Sequence, residues 1–131
     1  MSRREIREQI FKILFRVEFH NREELDEQLK LCLEDLGEIS EQDSVYMTEK
    51  VHKIAEHLEE LDGMVNEAAD KWKTTRMAKA ELAIIRLAVY EMKYEEDIPV
   101  SVAINEAVEL AKVYGSDNGA RFVNGILAKL A

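Results

Sequence analysis

Residues 77–94 leave a folded chain few choices. Ala80, Leu82, Ala83, Ile84, Ile85, Leu87, Ala88 and Val89 spread around nearly the whole circumference of a helix. A helix that is apolar all round must be covered on several sides, so this stretch predicts a central helix with others packed about it. Arg86 is the charge within it. A buried charge has to be paired, and Glu81, Glu91 and Glu106 are candidate partners.

No alternating, strand-like pattern persists elsewhere, and six further segments repeat at helical spacing. Residues 4–19 carry Ile6, Ile10, Ile13, Leu14 and Val17 as a core stripe and break at Asn21-Arg22. Residues 24–36 use Leu25, Leu29, Cys32, Leu33 and Leu36, and Gly37 ends them. A third helix opens at Ser40 or Asp43, with Val45, Val51, Ile54, Leu58 and Leu61 apolar, and reaches a break or kink at Asp62-Gly63. A short helix spans residues 64–72. Pro99 suits the first turn of the next, where its missing N–H would be unpaired anyway. Ala103, Ala107, Leu110, Ala111 and Tyr114 then recur until Gly115 stops the run. Ser116 can cap the last helix and Asp117 suits its positive end; Phe122, Val123, Ile126, Leu127 and Leu130 form its apolar face. Gly125 lies inside that helix at a cost of about 1 kcal/mol relative to Ala, which predicts a close approach there. The expected fold is all-α, with about seven helices in a single domain over residues 1–131. An N-terminal three-helix half of about residues 1–62 is expected to pack on a C-terminal four-helix half, about 63–131, around the central apolar helix.

The net charge of −9 is unevenly spread. Residues 1–22 carry +3, residues 23–70 carry −13 and residues 71–131 carry +1. With a Debye length of about 8–10 Å, the basic N-terminus can act locally despite the overall sign. A lone cysteine, Cys32, cannot form an internal disulfide and reads as a small core residue. No apolar run approaches the roughly 18 residues of a membrane span, and no uncharged apolar stretch follows the N-terminal arginines. The chain is expected to be soluble and cytoplasmic.

Signals for catalysis are poor. His52 and His57 are five apart, off one helical face, and Glu49, His52 and Glu56 lie on an acidic, solvated stripe. No phosphate-cradling glycine loop or activated nucleophile stands out. No enzyme, metal or cofactor is expected. The first helix is more suggestive. Arg4, Arg7, Phe11 and Phe15 fall on a strip beside its core stripe, with Arg3 at the boundary, and arginine interleaved with aromatic rings suits single-stranded nucleic acid. Read as residues alone, the two phenylalanines can equally widen the core face. The turn from Tyr114 to Asn118 joins an aromatic, small polar groups and a helix N-terminus, either as an anion-facing site or as an ordinary connection.

Three stretches together carry a resemblance. The N-terminal arginines run into Arg7-Glu8 and Leu14-Phe15; Ala83-Ile84-Ile85-Arg86-Leu87-Ala88-Val89-Tyr90-Glu91 follows; then come Ile98-Pro99, Ala103-Ile104-Asn105-Glu106-Ala107 and Phe122-Val123-Asn124-Gly125. In that order they resemble the NusB family of bacterial transcription antitermination factors over nearly the whole chain. The resemblance implies an all-helical RNA-binding adaptor that pairs with the ribosomal protein NusE. It would bind boxA RNA of nascent ribosomal transcripts and serve the RNA polymerase antitermination complex. Carried onto this chain, it implies RNA contacts at Arg3, Arg4, Arg7, Phe15, Glu81, Tyr114, Asn118 and Phe122. Phe15 stands where the family has a tyrosine, and Asn118 where it often has an acid. A helical interaction module forming a homodimer, with RNA binding secondary, is the competing expectation.

Overall fold

Seven α-helices and no strand occur among the residues described by the computed structural model, which are 1–17 and 22–131. The expected helix end at Phe19 and break at Asn21, and the side chain of Val17, lie outside the described residues. The backbone divides into two compact units, Met1–Glu56 and His57–Ala131. No described helix is long and apolar enough to cross a membrane.

The first unit holds α1 (Arg3–Val17), α2 (Leu25–Asp35) and α3 (Glu41–Glu56), with α1 packed on both others. A reciprocal capping box starts α1: Glu5 N–H donates to Ser2 Oγ and Ser2 N–H to Glu5 Oε1, both at 3.1 Å. The bond from the Ser2 backbone holds the Glu5 carboxyl below its ordinary value. Gly37 takes φ +73°, the left-handed conformation that stops α2. Of the two candidate openings for α3 the chain uses Ser40, whose Oγ accepts the Asp43 N–H at 3.1 Å. Ile6, Ile10, Ile13, Leu14, Leu25, Leu29, Val51 and Ile54 are buried as their spacing requires. Val45 is not; Met47, Val51 and Ile54 share one stripe, and Val45, two positions from Met47, stays 47% exposed. Cys32 is half-buried, with Arg16 Nη1 donating to its Sγ at 2.7 Å, and desolvation pushes its thiol pKa up.

The second unit holds α4 (Leu58–Ala68), α5 (Lys79–Tyr94), α6 (Val100–Tyr114) and α7 (Gly119–Leu130). The break after α3 falls at His57 rather than at Asp62-Gly63. Gly63 sits inside α4 with no positive φ and no neighbour at its missing Cβ, so nothing in its backbone demands a stop. α5 is the central helix. It packs on α4, α6 and α7, and every residue from Glu81 to Glu91 is buried. Pro99 stands just before α6, its carbonyl accepting the N–H groups of Val102 and Ala103.

Arg86 is held by Asp62 of α4, a partner outside the expected set. Nε and Nη2 reach Oδ1 and Oδ2 at 2.8 and 2.6 Å, a two-pronged bond. Loss of water raises the Asp62 carboxyl to about 6 and lowers the Arg86 guanidinium to about 10. Both values leave the pair charged at neutral pH.

Candidate nucleic-acid interface

The N-terminal half of the expected site is narrower than helical spacing suggests. Arg3 and Arg4, in the first turn of α1, are exposed, whereas Arg7 keeps 9% of its surface and Phe11 only 3%. Phe11 thus widens the core face, as one of the two sequence readings allowed. Phe15 is half-buried, its ring 6.3 Å from that of Phe11 and tilted by 43°. Of the α1 residues expected to meet a ligand, two arginines at its tip and one partly open ring further along reach solvent. The capping box fixes the backbone of that tip, from which both arginines project.

The C-terminal half is built around the α6–α7 turn in the second unit. Ser116, Asp117 and Asn118 are exposed, and Tyr114 and Phe122 are half-buried on either side of them. Ser116 does not cap α7 with its hydroxyl as expected. Its backbone carbonyl accepts the Gly119 N–H at 2.8 Å, while Oγ donates to Glu81 Oε1 at 2.8 Å. Asn118 occupies the N-cap position without a side-chain cap bond. Glu81 is 4% exposed, so α5 presents it to the inner side of the turn, not to solvent.

This contact explains a glycine. A Cβ at Gly119 would stand 2.8 Å from Glu81 Oε1 and 3.3 Å from its Cδ. The close approach expected at Gly125 is absent; a Cβ there would meet nothing within 4 Å. Two glycines lie on α7, and the one at its start is the one that touches. The residues Glu81, Ser116 and Gly119 thus form a brace beneath the turn, of which sequence reasoning identified Glu81 but not the part it plays. The signal that could have found it is Gly119, a glycine that reads as one at a helix end or contact without naming what it touches.

No three metal-ligating side chains converge among the described residues. His52 instead bonds Asp26 across α2 and α3 at 2.6 Å. The exposed groups are cationic at the tip of α1, with Phe15 beyond them, and aromatic, amide and hydroxyl at the turn, where Asp117 adds one acid. That chemistry can hold phosphates and stack bases.

Comparison with known proteins is consistent over the full length. The model of the NusB family matches residues 4–131. A transcription antitermination protein NusB of Agathobacter rectalis is 56% identical over 131 residues, the whole of both chains. One of Lachnoclostridium phytofermentans is 48% identical over 130 residues, covering 99% of this chain and 98% of its own. Among solved structures, a NusB from T. maritima superposes with a TM-score of 0.91 at 35% identity, covering 100% of this chain and 91% of its own. A chain in the crystal structure of antitermination factors NusB and NusE with double-stranded RNA shares the fold, with a TM-score of 0.85 at 23% identity over 96% of this chain and 92% of its own. Matched by the family model over residues 4–131 and by these relatives along its length, the chain belongs to the NusB family.

Proposed function

We propose that this chain is an RNA-binding adaptor in transcription antitermination. It binds boxA-type single-stranded RNA of nascent ribosomal transcripts, together with the ribosomal protein NusE, and serves the RNA polymerase antitermination complex in the cytoplasm. The observation that carries the reading is membership of the family over residues 4–131, with relatives 56% and 48% identical that are named antitermination proteins. The family is one of transcription factors and leaves no reaction to assign.

The exposed groups give the reading a physical form. Arg3 and Arg4 take phosphates, Phe15 and Phe122 offer ring faces, and Tyr114 and Asn118 flank the turn. Arg7, mostly covered, supports α1 more than it meets solvent. Glu81 acts through the turn: a buried carboxylate repels phosphate, but its bond to Ser116 fixes the loop that carries Asn118. A protein of net charge −9 with two accessible arginines at its N-terminus should bind RNA weakly alone. Neutralising about two phosphates gives a log–log salt slope near −1.4, and a basic partner docked alongside adds the rest.

Anisotropy of a labelled boxA-type RNA, titrated with and without NusE, tests this. Binding should tighten with NusE and fall in an Arg3→Ala/Arg4→Ala chain. Equal binding to a scrambled RNA would refute the assignment.

A further inference from the structure

We propose that a groove beside Phe122, walled by Trp72, is an additional base-binding subsite that takes a nucleotide flanking the core RNA element. The inference rests on the RNA-binding reading above and extends it. The groove measures about 280 Å³ and runs between the segment after α4 and the outer face of α7. That is smaller than the roughly 300–1,000 Å³ of pockets enclosing drug-sized ligands, and suits one planar ring system.

Four features shape it. Trp72 keeps 49% of its surface in solvent, a large exposure for an indole, and the Arg76 guanidinium lies 5.0 Å from its ring centre and steadies it. Phe122 and Ile126 of α7 contribute the apolar side. Gly125 adds no side chain, and because a Cβ there would meet nothing within 4 Å, its glycine keeps the groove open rather than fitting a neighbour. The rim is cationic. Lys129 is engaged with Asp70 at 2.7 Å, but Lys71 and Arg121 are exposed and make no ion pair among the described residues.

Charge selects the occupant. An acid-rich protein keeps a run of Lys71, Lys73, Arg76 and Lys79 without an intervening acid next to its one tryptophan. A flat apolar wall under two uncommitted cations fits a strand that alternates rings with phosphates. A purely apolar helix would leave Lys71 and Arg121 unmatched. Phe122 belongs both to this groove and to the surface near the turn, so a strand contacting the turn reaches the groove along α7.

Because Trp72 is the only tryptophan, its emission reports on the groove directly. The complex with NusE is titrated with boxA-type RNA extended by several nucleotides at each end, and the Trp72→Phe chain supplies the blank. Binding is followed in parallel by anisotropy of end-labelled RNA. Trp72 emission should change saturably with the anisotropy midpoint. Gly125→Leu, which fills the groove without removing a contact, should weaken binding about ten-fold and abolish the emission change. If circular dichroism shows that this variant does not fold, Lys71→Ala/Arg121→Ala replaces it, with the same loss expected. Binding by anisotropy with unchanged Trp72 emission, or undiminished binding in the variants, overturns the subsite and leaves the adaptor reading intact. An emission change with hexaglutamate but not with RNA also overturns it, in favour of an acidic protein segment. No RNA binding at all overturns both.

Discussion

Two glycines on one helix should respond to the same substitution with opposite signs. At Gly119, a new Cβ would lie 2.8 Å from Glu81 Oε1, well inside contact distance. A flexible carboxylate could swing away cheaply in water, but Glu81 is 4% exposed and its Oε1 accepts the Ser116 hydroxyl at 2.8 Å. Moving it forfeits a bond to a charged group, about 1.5–3 kcal/mol. Gly→Ala returns at most about 1 kcal/mol of helix propensity. Gly119→Ala should therefore destabilise the chain by about 1–2 kcal/mol. At Gly125 the Cβ meets nothing, so Gly125→Ala keeps the propensity term and should stabilise by about 0.5–1 kcal/mol. With a urea dependence near 2 kcal/mol per molar, unfolding followed by far-ultraviolet circular dichroism should show the midpoint lowered by about 0.5–1 M for Gly119→Ala and raised by about 0.25–0.5 M for Gly125→Ala. Ser116→Ala should remove much of the penalty at Gly119, because the bond at risk is already gone. A Gly119→Ala midpoint at or above that of the parent chain would show that Glu81 is not fixed beneath the turn.

Other perturbations address separate elements. In Arg3→Ala/Arg4→Ala, the log–log salt slope of RNA binding should become shallower by about 1.4, and an unchanged slope would remove these arginines from the interface. Asp62 has its pKa raised from 3.8 to about 6, so between those values the folded chain binds its proton more tightly than the unfolded one. Its contribution to stability is fullest below 3.8 and is lost as pH rises through 6. Urea midpoints at several pH values should show this gain on acidification in the parent chain and not in Asp62→Asn; superimposable pH profiles would count against it. Ser2→Ala keeps the backbone bond that does most to lower the Glu5 pKa but removes the smaller share owed to the hydroxyl, so that pKa should rise part of the way toward its ordinary value in an NMR titration. No movement would mean that the hydroxyl has no influence on that carboxyl.

Most of the architecture could be read from residue spacing, because apolar periodicity and burial are the same physical fact seen twice. The circumference of α5 announced a central helix, and it is buried from Glu81 to Glu91. Breaks were harder. Asp62-Gly63 has the composition of a stop, yet Gly63 is an ordinary helical residue, while His57 ends a run with no special chemistry. Partners across helices were hardest. Arg86 had Glu81 and Glu91 on its own helix and Glu106 on the next as candidates, and the structure supplies Asp62 of α4. The strip expected to be open on α1 came out wider than it is, since angular position does not say where a neighbouring helix stops covering a side chain. Arg7 and Phe11 fell on the covered side of that edge. Phe15, Tyr114 and Phe122 kept partial exposure.

The buried girth of α5 also governs how the second unit can open. A helix with one wet face can fray or lift away while its neighbours hold, but α5 has no such face over eleven consecutive residues, Glu81 to Glu91. Water reaches those amides only when α4, α6 and α7 have already parted from it. Their hydrogen exchange should then collapse to one opening free energy, the global one for that unit, while the ends of α7 exchange through smaller openings. The helix that cannot leave alone makes the unit a single cooperative body.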